Sequence, residues 1–168
     1  MQNHYNYVFD NITNTYNFTT KNSILYRVAF VVDETFSTIS GEEIPNIFQL
    51  IVEKASEEIE PYDAKVSKTI ENIVERFFLK IENSLVYVCS DEKDKAEIRH
   101  KIFDRWYRKS EFRDVVIKID NIINLKINEF EIHKLYTAYM FHKENSNYKK
   151  LIEIYNQIEK ILNSETEK

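Results

Sequence analysis

The sequence predicts an α+β fold: an antiparallel or mixed sheet that opens with an aromatic meander and is covered by three amphipathic helices. Three observations carry this. Apolar residues alternate with period two over the first fifty positions, the period changes to three and four after Asp63, and both periods recur in the second half. At 168 residues, with 43% hydrophobic and 30% charged residues, the chain is expected to form one domain, residues 1–168, around a buried core.

The elements follow in order. Tyr5, Tyr7 and Phe9, then Tyr16 and Phe18, then Tyr26, Val28, Phe30 and Val32, then Phe48, Leu50 and Val52 each place their apolar side chains on one face of a strand. The separators "NITN", "TTKNS" and "SGEEIPN" are rich in turn residues, and their short spacing implies an antiparallel meander over about residues 5–53. Only one glycine, Gly41, is present, so Asn and Asp must supply the left-handed turn conformations.

Pro61 and the capping residue Asp63 then introduce a helix over about 64–81, with Val66, Ile70, Ile73, Val74, Phe77 and Ile81 as its apolar stripe. "SLVYVCS" is a strand short and apolar enough to be buried on both faces. "DEKD" leads into a helix over about 93–109, its acidic residues matched to the positive end of the helix dipole. "DVVIKIDNII" reads as a strand. In "EFEIHKLYTAYMFHK", Tyr139 and Phe141 on one parity and Tyr136, Ala138 and Met140 on the other suit a strand with two covered faces. Tyr148, Leu151, Ile152, Tyr155, Ile158 and Leu162 stripe a last helix over about 146–162.

Composition excludes several activities. A P-loop, a dinucleotide-binding glycine turn and a nucleophile elbow each need several glycines, so nucleotide hydrolysis by those routes is ruled out. Cys89, the only cysteine, leaves no disulfide framework or multi-cysteine zinc module and fits a reducing compartment. The first residues lack a basic start followed by an apolar run, and no stretch is apolar enough to span a membrane. Cytoplasmic residence is the expectation. The net charge of −5 speaks against a surface that coats nucleic acid everywhere. Acidic residues gather between 33 and 63 while the opening stretch is mostly basic, an asymmetry able to steer a partner or a second copy.

The motifs "YNYVF", "YNF", "YRVAF", "TIENIVERFF", "LVYVCSD" and "RHKIFDRWY", in this order, resemble a family of short, uncharacterised bacterial proteins with a domain of unknown function. The resemblance is closest over residues 5–109. It implies a self-contained domain and brings no activity or site residue.

Chemistry-bearing residues concentrate around "AEIRHKIFDRWYRKSEFRD", residues 96–114. Ile98, Ile102, Phe103 and Trp106 share one helical face, and Lys101, Arg105, Arg108 and Lys109 another. A solvated basic face accounts for the four cations, with Arg105 paired to Glu97 or Glu111. The functional alternative lays them along a phosphate backbone, with Tyr107 stacking on a base.

Glu97 and His100 have the spacing of carboxylate-bridged metal sites but lack the further ligands such sites need, and His100 is expected on the surface. Asp91, Glu92 and Asp94 have the chemistry of Mg²⁺ ligands, but helix capping explains them without a ligand and is the preferred reading. His133 and His142 should face opposite sides of their strand. Cys89 reads as a buried small hydrophobe.

No residue is assigned to catalysis, a metal or a cofactor. The expected function is a non-catalytic binding protein with a protein partner or a second copy of itself. One alternative is a nucleic-acid-binding protein using Lys101, Arg105, Arg108 and Lys109. Another is a metal-independent ribonuclease or toxin-like enzyme using His100 or His133 as acid-base.

Overall fold

A computed structural model describes residues 3–56, 61–89, 95–128 and 131–165. Asp91, Glu92 and Asp94 lie outside the described residues, as do 93 and the side chain of Leu162.

Four strands form the expected meander: β1 (Tyr7–Asp10), β2 (Thr15–Thr19), β3 (Leu25–Val32) and β4 (Ile47–Lys54), each antiparallel to the one before it. Their connections depend on left-handed residues, Asn14 at φ 53°, Ser23 at φ 62° and Asn46 at φ 64°. In the first turn the Asp10 carboxylate accepts from the Ile12 amide at 2.8 Å and from the Thr13 hydroxyl at 2.9 Å, fixing the hairpin locally.

Between β3 and β4 the structure adds a short helix the periodicity does not announce, α1 (Thr35–Ser40), which Gly41 ends at φ 69°. Six residues are too few to display a helical stripe, although α1 contributes Phe36, 1% exposed, to the core.

Helix α2 (Ala64–Phe77) begins where expected. Asp63 caps it by accepting from the Lys65 amide at 2.9 Å and also takes the Tyr5 hydroxyl at 2.5 Å, which ties the N-terminal segment to the helix start. The helix ends at Phe77 rather than 81, because the chain turns at Phe78, whose amide bonds the last carbonyls, leaving Ile81 half-exposed.

Then follow β5 (Ser84–Cys89), α3 (Ala96–Lys109), a single 3₁₀ turn at Glu111–Asp114, β6 (Val116–Asn128), β7 (Glu131–His142) and α4 (Tyr148–Glu165). The last helix starts two residues later and ends three residues beyond the sequence expectation.

One mixed seven-stranded sheet results, in the order β1-β2-β3-β4-β5-β7-β6. Its parallel pair is β4 with β5, joined by the crossover through α2. The helices divide between its faces. Helices α2 and α3 cover the aromatic face, where Phe18, Val28, Leu85 and Met140 meet Ile70, Ile73 and Val74. Helices α1 and α4 cover the other face, packing Phe36, Leu151, Tyr155 and Ile158 on Val86, Tyr139 and Phe141.

Strand β7 is buried on both faces as its two parities required. Ala138 and Met140 enter the first core, and Tyr139 and Phe141 the second. Each fully buried Phe or Tyr side chain here contributes roughly 1.5–3 kcal/mol of transfer free energy. Tyr139 keeps its hydroxyl satisfied by donating to Ser84 Oγ at 2.9 Å.

Candidate functional site

Helix α3 presents three faces to three environments. Ala96, His100, Phe103 and Tyr107 recur at four, three and four, and this stripe packs on β5 and β7; Ala96 is fully buried and Phe103 stacks on Tyr87 at 4.8 Å. Arg99, Ile102 and Trp106 lie beside it and line a cleft against β4 and β5. Lys101, Arg105, Arg108 and Lys109 are exposed, as their spacing required.

Two of the four cations are engaged by carboxylates one turn away, Lys101 by Glu97 at 2.6 Å and Arg108 by Asp104 at 2.9 Å. Glu97 thus pairs with Lys101, where the sequence suggested Arg105. Ile98 is 59% exposed, so it leaves the apolar face on which the sequence placed it. The Tyr107 hydroxyl donates to the Val116 carbonyl at 2.7 Å and anchors the helix to β6; it is not presented for base stacking.

His100 is not the surface residue that was expected. Its side chain is 15% exposed, its Nε2 faces Asp120 Oδ1 at 3.4 Å, and its ring lies between Tyr87 and Tyr136. The reason is β6. Val116, Lys118 and Asp120 share one parity and register against His142, Met140 and Ala138, which carries a lysine and an aspartate beneath α3.

The Lys118 side chain is only 2% exposed. Its ammonium bonds Asp104 at 3.2 Å and Asp120 more closely, and it sits 6.0 Å from the Tyr87 ring centroid and 5.9 Å from that of Tyr107. Burial holds the His100 imidazole below the usual histidine range; Asp120 opposes this shift and Lys118 reinforces it. Burial also raises Tyr87, whose enclosed hydroxyl, like His100 Nδ1, has no hydrogen-bond partner among the described residues. The cluster therefore pairs its charges internally and holds neutral polar groups beside them.

Lys118, Asp104 and Asp120 were not singled out from sequence. Sequence alternation conceals them, because Ile117 and Ile119 mark the opposite parity as the apolar one and leave Lys118 and Asp120 on the side that reads as polar. His133 is exposed on the parity of Leu135 and Tyr139, the face opposite His100, so the two candidate histidines are not brought together. His142 is buried and accepts the Glu144 amide at the turn after β7. Cys89 is buried, and burial pushes its thiol up. Among the described residues no group of three or more His, Cys, Asp or Glu side chains is placed to hold a metal ion, and no helix is long and apolar enough to cross a membrane.

A broad concavity lies where the sheet opens. Strands β4 and β5 pair over only three positions, Ile47 with Ser84, Phe48 with Leu85 and Gln49 with Val86. Beyond them a cleft of about 730 Å³ separates Leu50–Val52 and Lys54 from Tyr87–Cys89. Its walls include Leu50, Val52, Tyr87, Ile102, Phe103 and Trp106, and among the described residues its charged ones are Lys54 and Arg99. Apolar side chains make up most of the lining and Tyr26, Gln49, Lys54, Tyr87 and Arg99 add polar groups, a mixture that can receive a ligand. Sequence periodicity identified the strands and the helix face but not the gap, since the end of a ladder is a long-range event.

Neither a curated protein nor a solved structure matches this chain. A model of a family of unknown function, DUF6169, matches residues 62–157, from the start of α2 into α4. The matched segment holds β5, α3, β6 and β7, and with them the His100–Lys118 cluster and one wall of the cleft. It overlaps the motif resemblance from residue 62 onward. Because the match covers more than half of its length, the chain belongs to the family of unknown function DUF6169.

Proposed function

We propose that this chain is a non-catalytic binding protein of the cytoplasm, bacterial as its motifs suggest, whose partner enters the cleft between β4 and β5. The observation that carries this reading is the early end of the parallel ladder: two neighbouring strands separate after three pairs and leave an apolar wall lined by α3. Exposed Ile51 and Val88 flank the opening, and apolar surface beside a concavity marks a place where another molecule is received. The single buried cysteine fits a reducing compartment.

The test uses 8-anilinonaphthalene-1-sulfonate, an apolar anion. Saturable one-site enhancement is expected with the native protein, together with its loss in the folded variants Leu50→Arg and Ile102→Glu. No enhancement, or enhancement unchanged in both variants, would reject the cleft as a binding site.

A nucleic-acid surface on α3 is the second reading, supported by the exposure of Lys101, Arg105, Arg108 and Lys109 on one helix. It ranks lower because Glu97 and Asp104 already neutralise two of the four. It requires nucleic acid that co-purifies at low salt, leaves at high salt, and is absent from a Lys101→Glu/Arg105→Glu variant.

A further inference from the structure

We infer that two copies of this chain associate through the outer edge of β6, pairing antiparallel about a two-fold axis at Ile122 or Ile123 so that their sheets continue into one. This surface is separate from the cleft, since β7 and β5 lie between β6 and β4.

The backbone comes first. Strand β6 closes one side of the sheet and runs for 13 residues, Val116–Asn128. The Asn121 carbonyl, and that of Val115 just before the strand, turn toward β7, where the Thr137 hydroxyl and the Lys143 amide reach them. Antiparallel pairing alternates the direction of the peptide groups, so those of Val116, Lys118, Asp120 and Ile122 point outward.

The first two are guarded from a second strand. The Tyr107 hydroxyl donates to the Val116 carbonyl at 2.7 Å and accepts from the Lys118 amide, in the place where a strand would bond. Lys118 itself turns inward under α3 and adds the buried charge that blunts an edge. From Asp120 onward neither device recurs among the described residues, and the strand contains no proline or glycine. Such an edge is a template for another strand.

Side chains then select a second copy. Ile122 is 46% exposed in the unguarded stretch, on the face that carries α3. Antiparallel copies are related by a two-fold axis, and a residue beside that axis meets its own counterpart. Ile122 therefore covers Ile122, directly opposite it or on the diagonal. The same operation sets Asp120, whose side chain is 45% exposed, diagonal to or opposite position 126, which is a lysine. Either position of the axis gives both contacts, so β6 supplies the apolar and the charged complement to its own edge.

Sedimentation of the whole chain over a concentration series tests this, with a reversible monomer–dimer equilibrium expected. Ile122→Pro removes an outward amide and should abolish the dimer while circular dichroism retains the native spectrum. Lys126→Glu sets like charges together and should weaken the dimer at least tenfold. Ile122→Cys should form a disulfide-linked dimer under copper phenanthroline, whereas Val8→Cys, on the opposite edge strand β1, should not. Three outcomes overturn the inference: a monomer at every concentration, a dimer unaffected by both Ile122→Pro and Lys126→Glu, or cross-linking at position 8 rather than 122. If Ile122→Pro does not fold, Lys126→Glu and Ile122→Cys decide.

Discussion

Replacing Lys118 with Met tests whether the cluster under α3 is a buried ion network or a surface contact. Methionine keeps most of the apolar stem that packs against Tyr87 and Tyr107 but removes the ammonium, leaving Asp104 and Asp120 facing each other without it. Breaking a fully buried pair costs about 3–5 kcal/mol. The carboxylates here are not sealed: their side chains are 26% and 45% exposed, so water solvates part of the charge left behind. Two charge-assisted hydrogen bonds and two cation–π contacts are lost, and after this discount the expected cost is about 2 kcal/mol.

Urea unfolding reads it directly. With a slope of roughly 2 kcal/mol/M the midpoint should fall by about 1 M, and the melting temperature by about 4–8 °C. Adding Asp120→Asn to Lys118→Met should restore about half of the loss, since one uncompensated charge disappears. A cost below about 0.5 kcal/mol would place Lys118 among exposed ion pairs and refute the burial argument.

Other expectations follow from the same geometry. Asp63→Ala removes the α2 cap and the Tyr5 contact together and should cost about 1–2 kcal/mol in urea unfolding, whereas Asp63→Asn should retain most of the cap. His100 is held below its unfolded value near 6.5, so the unfolded chain binds the proton more readily. Its contribution to stability is therefore present above that value and declines as pH falls below it. Urea midpoints between pH 7 and 5 should fall more steeply for the native protein than for His100→Phe, and parallel curves would contradict this. Phe36→Ala, which empties the space beside Tyr139 and Tyr155, should cost about 3–5 kcal/mol by calorimetry or urea unfolding; a loss under 1 kcal/mol would show that α1 is not part of the second core.

The sequence by itself determined the parts that depend on local pattern. Period-two aromatics required the meander, Asp63 and the stripe from Val66 to Phe77 required α2, and the two apolar parities of residues 136–141 required a strand covered twice. Each follows from which way neighbouring side chains point, a property of a few adjacent residues. The exposure of Lys101, Arg105, Arg108 and Lys109 was legible for the same reason.

What only the tertiary structure decided depends on which distant segments meet. Burial of His100 comes from Asp120 and Tyr136, whose strands lie beneath α3 only because β7 separates β5 from β6. Assignment of α4 to the face opposite α2 and α3 depends on the chain's path across the sheet. The cleft exists because β4 and β5, separated in sequence by α2, remain paired for three positions and then part. Side-chain alternation gives the faces of a strand, whereas the choice of neighbour and the length of the ladder arise from packing of the whole molecule.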